Sequence, residues 1–194
     1  MNPLYENTAA SVFERMSLAA VQHGAVNLGQ GFPDFGWPPQ VLEAASRALL
    51  EGSNQYAPSR GLPALREAVA GHYRRHYGSD YAAENICVTS GATEALGAAI
   101  LATVSPGDEV IIFTPAYDSY APMIRRGGGV VREVALQPPE WRIDEAVLRA
   151  ACSARTKAII FNNPQNPTGR LFERSELEVV ARVAVDHDLI VISD

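Results

Sequence analysis

The chain has 194 residues, of which 47% are hydrophobic and 20% charged, so it is long enough for one large domain with a buried core. Its net charge of −6 gives no electrostatic reason to expect nucleic acid or an anionic membrane as a partner. Two cysteines without the spacing of a metal site or a disulfide frame, an N-terminus without signal-peptide features and the lack of a ~20-residue apolar run predict a soluble cytoplasmic protein.

The first third of the sequence is mainly helical in pattern. Ser11 to Glu14 matches a capping box and Gly24 ends the segment, which predicts a first helix. Val26-Asn27-Leu28 reads as a short strand. Two further helices are predicted, one from Pro38-Pro39 to Gly52 and one with an apolar stripe from Leu62 to Tyr73.

From Ile86 onward, apolar strands alternate with helical segments. The predicted strands are Ile86–Thr89, Val110–Phe113, Val130–Val134, Lys157–Phe161 and Leu189–Ile192. The predicted helices are Thr93–Thr103, Tyr120–Arg126, Asp144–Ala151 and Glu173–Asp188. Continuous apolar strands that alternate with helices are typical of an α/β fold, with a mostly parallel sheet flanked by helices on both faces.

Polar segments follow four of these strands, and ligands of such sheets bind beyond the carboxyl ends of the strands. Ser90-Gly91-Ala92-Thr93 enters a helix, where backbone amides favour a phosphate, although N-capping by Ser90 or Thr93 explains the same residues. Tyr117 is placed to cover a flat ring, and a packing role is at least as common for such an aromatic.

The other two segments carry an amide and a carboxylate. Asn162 to Arg170 contains two prolines and a glycine, which restrict the backbone, and offers Asn166 as a hydrogen-bond donor; a decorated turn is the simpler alternative. Asp194 follows the last strand at the same edge. A phosphate cradle, a ring platform, an amide donor and an acid together indicate a site for a phosphorylated aromatic cofactor.

Two loops in the first third have open interpretations. The loop Gly29-Gln30-Gly31-Phe32-Pro33-Asp34 allows close approach of a ligand to its backbone, but needs its glycines equally for turning. Tyr56 is either a packed surface aromatic or a hydrogen-bond donor.

The segment from about Val26 to Asp194 resembles the class I aminotransferases, pyridoxal-phosphate enzymes of fold type I. The resemblance rests on Ser90-Gly91-Ala92-Thr93-Glu94-Ala95, on the asparagine-proline loop from Asn162 to Gly169 and on Ser193-Asp194. The glycine loop at 29–34 and Asn54-Gln55-Tyr56 are most similar to the branch acting on kynurenine, glutamine or methionine.

The resemblance implies a role for each candidate residue. Gly91, Ala92 and Thr93 would hold the cofactor phosphate, and Tyr117 would stack on the pyridine ring. Asn166 would bond the phenolic oxygen of that ring.

It likewise implies that Asp194 would pair with the protonated ring nitrogen. Tyr56 would reach the phosphate of the neighbouring subunit in a homodimer, and Gly31 would lie near the substrate carboxylate. The reaction would move an amino group between an amino acid and a 2-oxo acid.

Two residues that the resemblance implies, the Schiff-base lysine and the arginine that grips the substrate carboxylate, have no match in this sequence. The Schiff-base lysine would follow Asp194, and the only lysine, Lys157, precedes a strand at a position that does not match. We therefore expect an incomplete fold type I domain, with 1–30 as N-terminal arm and start of the small domain and 31–194 as part of the large domain. We expect this chain alone to be inactive. A carbon–sulfur β-lyase of the same fold and a non-catalytic remnant are the alternatives.

Overall fold

A computed structural model describes residues 11–31, 33 and 35–194. The chain divides into two compact units, whose described residues lie within 11–88 and within Thr89–Asp194. The predicted division at residue 30 stays a prediction, and the first ten residues of that arm lie outside the described part. Among the described residues, each helix is too short or too polar to cross a bilayer.

The unit that contains residues 11–88 is helical. Its helices are α1 (Val12–His23), α2 (Pro39–Glu51) and α3 (Pro63–Tyr77), followed by a 3-10 turn at Ala83–Asn85. The Ser11 hydroxyl accepts a hydrogen bond from the Glu14 N–H at 3.1 Å. Gly24 ends α1 in the left-handed conformation, with φ of 57°. The start and the end predicted for the first helix are confirmed.

Two strands predicted in this part of the chain do not form. At Val26–Leu28, the Asn27 side chain accepts from the Gly29 N–H at 2.9 Å and donates to the Ser17 hydroxyl at 3.0 Å. An asparagine that bonds its own backbone two residues on favours a turn over a strand. At Ile86–Thr89, the Val88 N–H donates to the Arg60 carbonyl in a loop at 3.1 Å. Both strand predictions were wrong because side-chain and loop contacts replace strand pairing.

The second unit is a four-stranded parallel sheet. Its strands are β1 (Glu109–Thr114), β2 (Val130–Ala135), β3 (Thr156–Phe161) and β4 (Ile190–Ser193), in the order β2-β1-β3-β4. Its helices are α4 (Gly91–Thr103), α5 (Tyr120–Arg126), α6 (Glu145–Ala151) and α7 (Arg174–Asp186). These elements confirm the predicted α/β class, with each end within two residues of its prediction.

Side chains on the two faces of the sheet enter two separate cores. Ile111 and Ile159 pack with Leu148 of α6 and Val183 of α7. Alternate residues of the same strands, such as Ile112, pack on the opposite face with helices α4 and α5. Because side chains alternate along a strand, a sheet with two apolar faces needs helices on both.

The orientation of α4 directs its first turn toward the carboxyl ends of the strands. Val104, just after the helix, lies against Gly129, just before β2: a Cβ at Gly129 would be 2.8 Å from the Val104 side chain. The C-terminal end of α4 is therefore at the amino edge of the sheet. Gly91, at the start of the helix, lies toward the opposite edge.

A buried carboxylate lies at the amino edge of the sheet and connects neighbouring segments there. Glu109 is fully buried and accepts from Arg132 at 2.8 Å, Arg155 at 2.8 Å and Ser153 at 2.7 Å. The Arg132 guanidinium, with Ser153, lowers the pKa of Glu109 from 4.5 to about 2. This network holds β1 against β2 and the turn before β3.

Candidate active site at the carboxyl edge of the sheet

The loop after β3 is a closed turn built around Gln165. The Gln165 N–H donates to the Arg170 carbonyl at 2.8 Å, and the Gln165 carbonyl accepts from the Gly169 N–H at 2.7 Å. Gly169 has φ of 72°, which glycine adopts without the Cβ penalty of other residues. The turn therefore has a defined backbone, as its prolines and glycine predict.

The end of this turn is attached to α7. Arg170 donates to the Glu176 carboxylate and to the Glu140 carbonyl, each at 2.9 Å. The buried Glu176 carboxylate also accepts from the Ile143 N–H at 3.1 Å and from the Glu173 N–H at 2.8 Å. A buried carboxylate with this many donors is stable only where they all remain in place, so the far end of the turn is fixed.

Asn162, the first residue of the loop, connects β4 with Asn166. Its Nδ2 donates to the Asp194 carbonyl at 3.1 Å, and its Oδ1 accepts from the Asn166 N–H at 2.6 Å. The Asn166 side chain is exposed, and its amide has no hydrogen-bond partner among the described residues. Asn166 thus has a fixed backbone and a side-chain donor that is available to a ligand.

A tyrosine pair joins the loop after β1 to Asp194. The rings of Tyr117 and Tyr120 are edge to face, with centroids 5.7 Å apart. The buried Tyr120 hydroxyl donates to the Asp194 carboxylate. Burial, together with this hydrogen bond, raises the pKa of Tyr120 well above 10, so the hydroxyl remains a donor at neutral pH. Tyr117 is half-buried, and its ring lies beside the group that holds the carboxylate.

The first turn of α4 supplies uncapped amides. Ser90 does not cap the helix with its side chain, so the simple N-capping alternative is not observed for Ser90. The Ser90 N–H instead donates to the Glu94 carboxylate. Gly91 has φ of 79°, and a Cβ there would meet no atom of the described chain within 4 Å. The Gly91 N–H donates to the Thr89 carbonyl at 3.0 Å, so the backbone amides open to an anion are those of Ala92 and Thr93.

The predicted site residues of the second unit share the carboxyl edge of its sheet. Four groups match the parts of a phosphorylated pyridine. The uncapped amides of Ala92 and Thr93 suit the phosphate, and the Tyr117 ring suits the ring face. The free Asn166 amide suits an oxygen acceptor, and the Asp194 carboxylate suits a nitrogen donor. This donor set therefore fits the expected cofactor class.

The other candidates lie elsewhere. Gly31 and Tyr56 belong to the unit of residues 11–88, where both are exposed, and the loop at 29–34 lies partly outside the described residues, at Phe32 and Asp34. Their roles stay predictions. Lys157 is the second residue of β3, four positions before Phe161, or roughly 13 Å from the carboxyl end at 3.3 Å per residue. It is far from the site edge.

Three residues that sequence reasoning did not select connect those that it did. Tyr120 links Tyr117 with Asp194, and Asn162 links Asp194 with Asn166. Gln165, which is 3% exposed, links the loops after β1 and β3. The only signal in the sequence was that these polar residues lie one to four positions from the chosen ones.

Residues 23–194 match the family described as aminotransferase class I and II. The chain belongs to this family.

Its relatives include several specific aminotransferases. The chain is 46% identical to the methionine aminotransferase of Escherichia coli strain K12, over 95% of this chain and 48% of that protein. It is 38% identical to the aspartate aminotransferase of Geobacillus stearothermophilus, over 96% and 48%. The N-succinyldiaminopimelate aminotransferase structure from Mycobacterium tuberculosis superimposes with a TM-score of 0.94 at 45% identity, over 100% of this chain and 51% of that one. The chain thus spans about half the length of these relatives.

Proposed function

We propose that the protein to which this chain belongs moves an amino group between an amino acid and a 2-oxo acid, with pyridoxal phosphate as its cofactor. The observation that carries the proposal is the meeting of Tyr117, Asn166 and Asp194 at one sheet edge, joined through Tyr120 and Asn162. Family membership supports the reaction class, since the relatives named above are aminotransferases.

Each residue of this edge has a physical task in the proposal. When bound, pyridoxal phosphate supplies an electron sink for negative charge at the substrate α-carbon. Asp194 keeps a proton on the ring nitrogen by its negative charge, and Tyr120 orients that carboxylate. Asn166 donates from its free amide to the phenolic oxygen. Tyr117 would cover one face of the ring and so hold the ring in one plane.

The phosphate group is assigned to the start of α4. Ala92 and Thr93 offer N–H donors, Gly91 leaves room for a ligand at the backbone, and the positive end of the helix dipole favours an anion. The Glu94 carboxylate bonds the Ser90 N–H, which leaves the amides after Gly91 for the ligand.

The remaining roles concern a second subunit and the substrate. We propose a cytoplasmic homodimer in which Tyr56 donates its phenol to the phosphate of the partner subunit. Its full exposure supports this, because the hydroxyl is available to a group from outside the chain. Gly31, also exposed, is assigned to the substrate carboxylate.

The catalytic lysine is proposed to follow Asp194 in a longer gene product. The placement of Lys157 near the amino edge supports this assignment, as does the half-length match to the relatives. The 194-residue chain should therefore catalyse no amino transfer.

The test compares two proteins, the 194-residue chain and the gene product read in frame beyond Asp194. Both are incubated with pyridoxal phosphate, an amino acid and a 2-oxo acid, and the new amino acid is measured. Transfer by the longer protein alone is the expected result. Release of pyruvate and ammonia from a cysteine derivative without transfer would favour a β-lyase. Turnover by the 194-residue chain, with a borohydride-trapped adduct on Lys157, would refute the assignment.

A further inference from the structure

Gln165 is a buried polar side chain with every polar group of its amide in use. Its Nε2 donates to the Pro115 carbonyl in the loop after β1. Its Oε1 accepts from the Thr168 N–H at 3.2 Å and from the Thr168 hydroxyl. The amide therefore has one partner in the β1 loop and two in its own turn, and at 3% exposure water cannot replace them.

The two loops that this amide joins carry two proposed contacts to the cofactor ring. Pro115 is two residues before Tyr117, and Gln165 directly precedes Asn166. Within the described residues, this is the only side-chain hydrogen bond between the β1 loop and the β3 loop.

The Gln165 bond also completes a closed series of contacts. Tyr117 contacts Tyr120, Tyr120 bonds Asp194, and Asp194 is bonded by Asn162, which accepts from Asn166. Residues on loops have more freedom than residues on strands, so three groups that must share one ligand need cross-links to hold their spacing.

We infer that Gln165 is a positioning residue that sets the distance between Tyr117 and Asn166. The role of this spacing in cofactor binding rests on the proposed function. The coupling of the two loops by Gln165 can be measured without cofactor.

Two substitutions isolate the bond to Pro115. Gln165→Glu keeps the shape but replaces the N–H donor with an acceptor that faces the Pro115 carbonyl. Gln165→Asn keeps the amide on a side chain one methylene shorter, so it serves if Gln165→Glu fails to fold. Asn163→Ala is the matched control. The Asn163 side chain accepts from the Phe172 N–H at 3.1 Å, so this substitution removes a hydrogen bond of the same loop and leaves the bond to Pro115 in place.

The first measurement is hydrogen exchange of residues 116–120 in the 194-residue chain. We expect either Gln165 variant to accelerate exchange there about tenfold, the effect of losing one buried hydrogen bond. The Asn163→Ala control should accelerate hydrogen exchange only in the loop after β3. Unchanged exchange at 116–120 in both Gln165 variants would overturn the inference.

The second measurement is the visible circular dichroism of pyridoxal phosphate on the longer gene product, which reports the orientation of the bound ring. We expect a changed band in the Gln165 variants and an unchanged one in Asn163→Ala. A band identical to wild type in both Gln165 variants would overturn the positioning role. Failure of the wild-type protein to bind pyridoxal phosphate would instead refute the proposed function, and the exchange result would still decide whether Gln165 couples the loops.

Discussion

The buried carboxylate at the amino edge of the sheet allows a test of the fold that needs no cofactor. Glu109→Gln preserves the size of the side chain and removes its charge. The native carboxylate accepts from two guanidinium groups and from the Ser153 hydroxyl, and it is fully buried. The substitution therefore weakens a network that holds three segments of the second unit together.

The expected loss of stability is about half of the cost of breaking a fully buried ion pair. Removing one partner of a fully buried pair costs about 3–5 kcal/mol. The Arg132 and Arg155 side chains are 46% and 69% exposed, so their guanidinium groups regain water when the carboxylate is lost. We expect the free energy of unfolding to fall by about 2 kcal/mol at pH 7.

The pH dependence has a defined sign. The folded pKa of Glu109 is about 2, below its ordinary 4.5, so the network stabilises the fold fully above pH 4.5 and is lost as the pH falls toward 2. Urea denaturation followed by far-ultraviolet circular dichroism at pH 7 and pH 3 measures both effects. Glu145→Gln, which removes partly exposed pairs with Arg149 and Arg182, is the control and should cost less. Equal costs for the two variants, or an unchanged acid dependence in Glu109→Gln, would refute the reasoning.

Three further outcomes are expected. Tyr120→Phe should lower the affinity of the longer gene product for pyridoxal phosphate about tenfold, measured by absorbance titration, because it removes the donor that orients Asp194; unchanged affinity would contradict this. Gly91→Ala should lower the free energy of unfolding by about 1 kcal/mol, since φ there is 79°, whereas Gly97→Ala within α4 should be neutral or stabilising in the same urea titration. Lys157→Ala should leave the affinity for pyridoxal phosphate unchanged in the same absorbance titration. A lower affinity would show that Lys157, near the amino edge of the sheet, contributes to the site.

The strands and helices of the second unit were predictable because their apolar residues are the ones that the fold buries. The apolar runs of β1 and β3 are buried on both faces, so the composition of each run already determines the structure. Val26–Leu28 misled for the opposite reason. A three-residue apolar-polar-apolar pattern is weak evidence, and the Asn27 side chain bonds to the backbone and to Ser17 instead.

Only part of the candidate site could be predicted from the sequence. Asn166 and Asp194 belong to recognisable sequence motifs, so a resemblance to a family identifies them. Gln165 and Tyr120 are buried, and their partners lie 50 and 74 positions away in the sequence. Whether a polar side chain is buried and satisfied depends on such distant contacts, which no local pattern contains.

The contact of the Asp194 carboxylate with water matters for the proposed chemistry. Two unit charges 4 Å apart gain only about 1 kcal/mol in water, against about 4 kcal/mol at an effective dielectric constant of 20. A carboxylate in contact with bulk water would therefore hold a proton on a ring nitrogen weakly, even with Tyr120 bonded to it. The proposed reaction thus requires that water is excluded from Asp194 when the cofactor is bound. Burial of this carboxylate, and not its presence alone, would make the ring an effective electron sink.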